Sequence, residues 1–209
     1  MTVLLIGATG PTGRAIISAA QAERLAIRAL ARRPEALADV EVAVVKGDVE
    51  NEASLRAAMR GASAVISALG TPLILKGPVT LLSRGTANIV AAMKSEGLDR
   101  FLCITGMGAG DSRGHGGVVY DRVILPLLLG PIHADKDRQE AVVRASGLDW
   151  TLIRPALLKS GQGRGRWREI TTWNGEGKLT SIDRADVARF IVQELGRHRY
   201  ARQAVNISW

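Results

Sequence analysis

The chain has 209 residues, of which 46% are hydrophobic and 23% are charged. This composition is typical of a folded globular domain and excludes extensive disorder. The formal net charge is +8, a balance often found in nucleic-acid-binding proteins. The excess is uneven, because residues 150–209 hold 11 basic and 5 acidic residues, against 17 and 15 in residues 1–149. Since no helix-turn-helix or RNA-binding pattern is present, we expect no nucleic-acid partner.

A few residue types limit the compartment and the chemistry. The single cysteine, Cys103, excludes an intramolecular disulfide, and the three histidines lack metal-ligand spacing, so we expect no metal site. The first seven residues lack the basic region of a signal peptide. The longest apolar stretch, Val123–Ile132, is interrupted by Pro126 and is too short to cross a bilayer. We therefore expect a cytoplasmic monomer or weak homodimer that does not bind membranes.

Short apolar runs alternate with amphipathic stretches in chain order. The apolar runs predict strands at Val3–Ile6, Leu25–Leu30, Val42–Lys46, Ala64–Ala68, Arg100–Thr105, Trp150–Ile153 and Ala204–Ile207. The amphipathic stretches predict helices at Pro11–Gln21, Glu52–Met59, Val79–Lys94, Asp135–Ala145 and Arg184–Leu195. Ser181 or Asp183 is available to cap the last helix. This alternation predicts an α/β fold, with a doubly wound, mostly parallel sheet and helices on both faces. We expect a single domain over residues 1–209, with small C-terminal loops on the substrate side.

The segment Gly7–Gly13 follows the first predicted strand and opens the first predicted helix. Its sequence is Gly-Ala-Thr-Gly-Pro-Thr-Gly, with glycine at every third position. Gly7 permits a tight turn, Gly10 lets a pyrophosphate approach the backbone, and Gly13 lets the helix lie close to the sheet. Free N–H groups at the helix N-terminus then meet the phosphates. The order of strand, loop and helix predicts a dinucleotide site, and a purely structural turn is the alternative.

The end of the second predicted strand indicates which dinucleotide binds. NAD-preferring sites place an acidic residue about 20 residues after the glycine loop, where it holds the ribose 2′-hydroxyl. Here Arg32 and Arg33 occupy that place, and Glu35 is the first acid after them. Because arginine can pair with a 2′-phosphate, we expect NADP(H) to be preferred over NAD(H). Solvated loop charges are the alternative reading of these two arginines.

Six motifs follow one another along the chain, namely Gly7–Gly13, Gly47-Asp48-Val49, Ala68-Leu69-Gly70, Asn88–Lys94, Ser146–Pro155 and Asp183–Ala188. In this order they resemble the motifs of the atypical short-chain dehydrogenases/reductases, and the resemblance extends over nearly the whole chain. Within that family, the chain is similar to the small NAD(P)H-binding proteins like biliverdin reductase B, or flavin reductase, and to the NmrA-like regulators. The resemblance implies a single Rossmann-type domain.

The resemblance also implies a set of cofactor-binding residues. Those at the pyrophosphate would be Gly7, Thr9, Gly10, Pro11, Thr12 and Gly13, and those at the 2′-phosphate would be Arg32 and Arg33. Those at the adenosine would be Asp48, Val49, Ala68, Leu69 and Gly70. Those at the nicotinamide and its ribose would be Thr105, Lys136, Pro155, Ala156 and Leu157.

The catalytic pattern departs from that of ordinary short-chain dehydrogenases, which use a Tyr-x-x-x-Lys pair. Tyr120 is followed four residues later by isoleucine and Tyr200 by alanine, so the pair is absent. The catalytic candidates that remain are Thr105, Tyr120 and Lys136. Tyr120 could instead be a packing residue, and Lys136 a solvated lysine that pairs with Glu140 one helical turn later.

A reductase of conjugated acceptors fits this pattern. Flavins and quinones accept hydride without a dedicated tyrosine acid, because conjugation spreads the developing charge, and the chemistry belongs to the cofactor. The loops Gly106–Gly117 and Ser160–Trp173 would then form the substrate mouth. Within the second loop, Trp167 and Trp173 could stack on a flat ring, and Arg164, Arg166 and Arg168 could bind an anionic small molecule. An ordinary basic loop with one buried tryptophan is the alternative.

Two other functions are compatible with a cofactor site. A non-catalytic, NmrA-like module that senses NADP(H) would explain the absence of the Tyr-Lys pair. A sugar-nucleotide isomerase or epimerase fits least, because the chain lacks both that pair and the larger C-terminal substrate domain of such enzymes.

Overall fold

The computed structural model describes residues 1–71, 79–115, 122, 129–173 and 178–209. The helices are α1 (Pro11–Ala22), α2 (Glu52–Met59), α3 (Leu81–Ser95), α4 (Gly130–Arg144) and α5 (Arg184–Arg197). The strands are β1 (Thr2–Ile6), β2 (Ala26–Ala31), β3 (Ala43–Lys46), β4 (Ala64–Ser67), β5 (Arg100–Ile104), β6 (Asp149–Pro155), β7 (Leu157–Lys159), β8 (Arg168–Ile170), β9 (Ser181–Asp183) and β10 (Gln203–Ser208). None of the helices in these ranges is long and apolar enough to cross a membrane.

Within the described part of the chain, eight strands form one sheet in the order β3-β2-β1-β4-β5-β6-β10-β8. All neighbouring strands are parallel except β10 and β8, which are antiparallel. The short strands β7 and β9 pair separately and in parallel. The predicted α/β fold with a doubly wound, mostly parallel sheet is therefore confirmed.

Alternate residues of the central strands enter two separate cores. On β1, Leu5 belongs to the core beneath α1 and α5, and its neighbour Leu4 belongs to the core beneath α2, α3 and α4. Both side chains are completely buried, because a parallel sheet is covered on both faces. Helices on both faces fix the sheet rigidly and leave its carboxyl edge, where the strands end in loops, as the open side.

The structure corrects several predicted elements. Helix α4 begins at Gly130, five residues before the predicted start, with a proline in its first turn. The strands β7, β8 and β9 lie in segments where no strand was predicted, because three residues are too few to show an alternating pattern. Asp183 occupies the N-cap position of α5, but its carboxylate does not cap the helix. It accepts a hydrogen bond from the Gly163 amide instead, at 3.1 Å.

Candidate functional site

A cleft of about 360 Å³ opens at the carboxyl edge of the sheet, where the strand order reverses between β1 and β4. Open α/β sheets bind their ligands at this topological position. The lining residues are Ile6, Gly7, Thr9, Gly10, Pro11, Thr12, Leu30, Ala31, Arg32, Gly47, Asp48, Val49, Ala68, Leu69, Gly70, Thr71 and Leu81. The loops after β1, β2, β3 and β4 therefore meet in one concave surface.

Most of the residues predicted for the pyrophosphate, the 2′-phosphate and the adenosine line this cleft, whereas Gly13 and Arg33 are not among the lining residues. The sequence reading missed six others, namely Ile6, Leu30, Ala31, Gly47, Thr71 and Leu81. Five of the six are apolar or glycine. They carry no chemical signature in a single sequence, and only their position at strand ends could have pointed to them.

The three glycines of the first loop are not required for the same structural reason. Gly7 has a φ of 82°, and a Cβ there would lie 2.4 Å from the Ala68 carbonyl oxygen. A Cβ on Gly13 would lie 2.3 Å from the Gly7 carbonyl oxygen. A Cβ on Gly10 would approach that same oxygen at 3.5 Å, which is an ordinary contact. Packing within the protein thus requires glycine at positions 7 and 13, while position 10 is left bare towards the cleft.

This bare position fits a dinucleotide pyrophosphate. Gly10 is the N-cap of α1, and Pro11 occupies the first helical turn, where a missing N–H costs nothing. The first-turn amides of a helix lack intrahelical acceptors, and the helix dipole favours negative charge at that end. A phosphate group could therefore approach the backbone at Gly10 without meeting a side chain.

Arg32 follows β2 directly, is exposed and lines the cleft. The segment after it is held by Arg14 of α1, whose guanidinium donates hydrogen bonds to Asp39 at 2.8 and 3.0 Å and to the Ala36 carbonyl oxygen at 2.5 Å. Arg14 thus fixes the path of the loop that carries Arg32 and Arg33. The sequence reading did not identify this role of Arg14, because its partners lie more than 20 residues away.

The loop after β3 is fixed by two contacts with neighbouring helices. The Asp48 amide donates a hydrogen bond to Ser54 Oγ of α2 at 3.0 Å. The Asn88 side chain of α3 donates to the Val49 carbonyl oxygen at 2.9 Å. A Cβ on Gly85 of α3 would lie 3.2 Å from the Val49 side chain. Close packing of α3 therefore holds Val49 against this side of the cleft.

The ends of β5 and β6 continue the same edge beyond the residues that line the cleft. The Thr105 amide donates to the Ile153 carbonyl oxygen at 2.8 Å, and the Met107 amide donates to the Pro155 carbonyl oxygen at 3.0 Å. Ala156 is buried, whereas the Leu157 side chain is 61% exposed. The two loops therefore leave the sheet side by side. Tyr120, the third catalytic candidate, lies outside the described residues.

The Thr105 hydroxyl belongs to a buried network of charged groups. Its Oγ1 donates to Glu140 Oε1 at 2.9 Å. Arg154 donates to both oxygens of that carboxylate, at 2.8 and 2.6 Å, and also to Asp111 at 2.5 Å. The Arg154 side chain is completely buried, so this is an internal ion pair rather than a surface contact. Neither Glu140 nor Arg154 had been identified as a candidate from the sequence.

Lys136 lies in the second turn of α4, partly buried against the loop after β5. Its Nζ lies 2.6 Å from the position that a Cβ of Gly106 would take. Burial lowers the pKa of Lys136 to about 8, and the nearby Glu140 carboxylate opposes this shift. The alternative reading of Lys136 as a solvated lysine paired with Glu140 is wrong, because the carboxylate forms its ion pairs with Arg154 and Arg144 among the described residues.

Several side chains of the largely exposed basic loop after β7 make contacts within the protein. Trp167 meets Phe190 edge-on and donates to Glu169, and the Arg164 guanidinium lies 3.8 Å from the centroid of the Trp209 ring. Arg168 donates to the Trp209 carbonyl oxygen. For these side chains the structure favours the alternative of an ordinary packed loop over a substrate-binding surface.

Trp173 differs from the rest of that loop. Its ring stacks on His115, with centroids 3.6 Å apart, and it packs on a small cluster that includes Met107 and Ala156. This stack connects the segment after β8 to the loop after β5. Trp173 therefore lies near the ends of β5 and β6, as a residue of the predicted substrate mouth should.

Comparisons with known proteins agree with this geometry. A profile described as NAD(P)H-binding matches residues 7–198. An NAD(P)H azoreductase of Xenophilus azovorans is 27% identical over 99% of this chain and 67% of its own length. YhfK of Bacillus subtilis (strain 168), described as an uncharacterized sugar epimerase, is 29% identical over 100% of this chain and 94% of its own. Among solved structures, the chuY protein of E. coli CFT073 has a TM-score of 0.81 at 25% identity, covering 100% of this chain and 96% of that one. The chain belongs to the NAD(P)H-binding family and has its Rossmann-type fold, as the sequence predicted.

Proposed function

We propose that this protein is an NADPH-dependent reductase that transfers hydride to a conjugated small-molecule acceptor, such as a flavin, a quinone or an azo compound. The observation that carries the proposal is the continuity of the sheet edge. Along this edge, Arg32 follows β2 and the bare backbone at Gly10 follows β1. Further along the same edge, Gly106 follows β5 and lies beside the partly buried Lys136. An extended dinucleotide is the ligand that suits an edge of this kind.

The residues of the cleft would bind the two phosphates and the adenosine. Gly7, Thr9, Gly10, Pro11 and Thr12 surround the pyrophosphate position, and Gly13 holds α1 close to the sheet. The adenosine would lie among Asp48, Val49, Ala68, Leu69 and Gly70. The nicotinamide and its ribose would lie near Thr105, Lys136, Pro155, Ala156 and Leu157, with Tyr120 as a further candidate.

Preference for NADP(H) would rest on Arg32 at the adenosine end of the cleft. Its exposed guanidinium lines the cleft and can bind a 2′-phosphate through two parallel hydrogen bonds. Arg33 is also exposed but is not among the lining residues, so it would contribute through its charge alone. This assigns the larger share of the discrimination to Arg32.

The nature of the acceptor follows from the acids that the site offers. Tyr200 is remote, because it packs on Phe190 and donates to Glu169, and burial together with this hydrogen bond raises its pKa to about 12. Without a Tyr-Lys pair, the acceptor must itself spread the charge that hydride transfer creates. The similarity to an azoreductase supports an acceptor of this class.

The bound cofactor supplies the hydride, and the chain must supply the matching proton. Lys136 can hold that proton at Nζ, because a pKa of about 8 keeps the amine largely protonated near neutral pH while leaving it a competent acid. The Thr105 hydroxyl is engaged by Glu140, which restricts it to orienting a ligand through its oxygen. Lys136 is therefore the proton donor in this proposal.

The test is NADPH oxidation by the purified protein with a panel of FMN, a soluble quinone and an azo dye. We expect turnover with at least one acceptor. In Lys136→Met the turnover number should fall by a larger factor than the NADPH affinity, because the side chain both lies at the nicotinamide ribose and donates the proton. Lys94→Met, on an exposed position of α3, is the matched control and should behave as the unmodified protein. Tight NADPH binding without turnover on any acceptor would contradict the reductase and favour the NADP(H)-sensing alternative.

A further inference from the structure

The Glu140 carboxylate lies at the centre of four polar contacts. Oε1 accepts from Thr105 Oγ1 at 2.9 Å and from Arg154 Nε at 2.8 Å. Oε2 accepts from Arg154 Nη2 at 2.6 Å and lies 3.5 Å from Arg144 Nη2. Lys136 stands four residues earlier on the same helix, at the spacing where a lysine and a glutamate normally pair. The carboxylate already has a partner for each of about four acceptor positions, and three of these contacts come from Arg154 and Arg144.

We propose that Arg154 is a positioning residue, which holds the Glu140 carboxylate away from Lys136 and so leaves the lysine ammonium group to act as the proton donor. The inference rests on the proposed function for its catalytic consequence. Its structural content, which is competition between two cations for one buried carboxylate, can be measured without any turnover.

The other charged groups near Lys136 are compensated or neutral. On the loop after β5, Asp111 pairs with Arg154, and Arg113 pairs with Asp137 of α4 at 2.6 Å. His133, one turn earlier on α4, is uncharged near neutral pH, because burial above all lowers its pKa to about 4. Among the described residues, the Glu140–Arg154 pair is thus the arrangement that decides how much negative charge Lys136 experiences.

Removing the anion and removing the cation of the Glu140–Arg154 pair should shift the pKa of Lys136 in opposite directions. In Glu140→Gln the negative charge is lost and Arg154 is left with less compensation, so the amine should lose its proton at lower pH, by about 1 unit. In Arg154→Met the carboxylate is released to pair with the lysine, so the amine should hold its proton to higher pH, by about 1 unit. In the double variant, which lacks both charges, the pKa of Lys136 should return towards that of the unmodified protein.

The experiment is competitive labelling of the full-length protein with trace acetic anhydride across pH, with the labelled lysines quantified by mass spectrometry. Only the neutral amine reacts, so the labelling midpoint reports the protonation of Lys136 directly. The exposed Lys94 is the internal reference. Arg144→Met is the matched control, because Arg144 contacts the same carboxylate from a 44% exposed position and its loss should shift the midpoint far less than the loss of Arg154.

The sign of the shift decides the proposal. Midpoints that move down in Glu140→Gln and up in Arg154→Met support it, and the alkaline limb of the turnover profile, where Lys136 loses its proton, should then move in the same directions. Unchanged midpoints, or midpoints that move together, overturn it even if the protein is an active reductase. Opposite shifts in a protein that turns over no acceptor would keep the assignment and refute the reductase. If Arg154→Met does not fold, Arg154→Lys replaces it, because lysine keeps the charge but gives up the two parallel hydrogen bonds to Glu140. Its midpoint should also rise, by less, and an unchanged midpoint would overturn the proposal.

Discussion

Two regions share the carboxyl edge of the sheet but are built from different groups. One is the glycine loop Gly7–Gly13 with Arg32, and the other lies at the ends of β5 and β6. The first is formed largely by backbone, with glycines that allow close approach and one exposed arginine. The second is formed by buried charges, among them Arg154 of β6 and Glu140 of α4, and a further buried carboxylate, Asp186, lies in the first turn of α5. A binding surface made of backbone needs shape, whereas side chains that hold or release protons need a controlled electrostatic environment. Substitutions at the two ends should therefore have different consequences.

The largest expected effect is at the buried carboxylate of α5, in Asp186→Ala. This carboxylate accepts from the amides of Arg164 and Gly165 at 2.7 and 3.0 Å, from Trp209 Nε1 at 2.9 Å and from Arg189 at 3.0 Å. Its loss leaves four partly buried hydrogen bonds without their acceptor and should lower the free energy of unfolding by about 3 kcal/mol. Urea unfolding measures the change, and the affinity for NADPH should persist under native conditions.

Asp183→Ala is the matched control for that measurement. Asp183 is also buried but accepts a single described hydrogen bond, from the Gly163 amide. We expect a loss of about 1 kcal/mol. Equal losses in the two variants would show that the Asp186 contacts carry no special weight.

The same carboxylate predicts a pH dependence of stability. Burial opposes ionisation of Asp186, but the hydrogen bonds outweigh it and hold its pKa below the ordinary value. A lowered pKa in the folded state contributes stability above the unfolded pKa of about 4, and this contribution is lost as the pH falls through the folded value. The difference in unfolding free energy between the unmodified protein and Asp186→Ala should therefore be constant near neutral pH and shrink below about pH 4.

At the backbone-built end, Gly13→Ala and Gly10→Ala should separate stability from binding. A Cβ at position 13 meets the Gly7 carbonyl oxygen at 2.3 Å, so we expect a loss of about 2 kcal/mol in unfolding free energy. A Cβ at position 10 has room in the protein, so the melting temperature without ligand should not change. NADPH affinity should nevertheless fall at least about tenfold, which is about 1.4 kcal/mol. Unchanged NADPH affinity in Gly10→Ala would contradict the placement of the pyrophosphate at this position.

This difference also explains how far the sequence alone could lead. The strands β1, β4 and β5 were predictable because strands buried on both faces are continuous apolar runs. The glycine loop was predictable because its spacing follows directly from the close approach of backbone to phosphate and of helix to sheet. Both signals are local, so a single sequence contains them in full.

The buried-charge end was not predictable for the converse reason. Glu140 lies 35 residues from Thr105 and 14 from Arg154, and these three residues meet because β5 and β6 are neighbours beneath α4. In the sequence, Arg154 is one of several arginines near the C-terminus, and nothing local distinguishes its buried position from an exposed one. The start of α4 was misjudged for a related reason, since a glycine and a proline suggest a loop until the tertiary position is known.

Arg32→Ala should produce an intermediate effect that is confined to the cofactor. If Arg32 binds the 2′-phosphate, its loss should weaken NADPH binding by about 2 kcal/mol, or roughly 30-fold, and leave NADH binding unchanged. Titration of both cofactors by fluorescence or calorimetry measures the ratio. Arg33→Ala removes the same charge from the adjacent exposed position outside the cleft lining and should change the ratio less. Equal effects of the two substitutions would indicate general electrostatic attraction instead of direct recognition.

The smallest expected effect tests the meaning of the C-terminal positive charge. In Arg164→Ala the guanidinium is removed from the Trp209 ring, which should cost about 0.5–1 kcal/mol of unfolding free energy and lower the melting temperature slightly. The Arg164 amide still donates to Asp186, because the substitution does not change the backbone. Arg166→Ala, at an exposed position two residues later, is the control for loss of charge alone. If the loop is a packed structural element, Arg164→Ala should lose stability with an unchanged KM for an anionic acceptor, and Arg166→Ala should change neither. A raised KM in both variants would instead place the acceptor against this loop. The substrate-binding surface would then extend from the ends of β5 and β6 onto the basic loop.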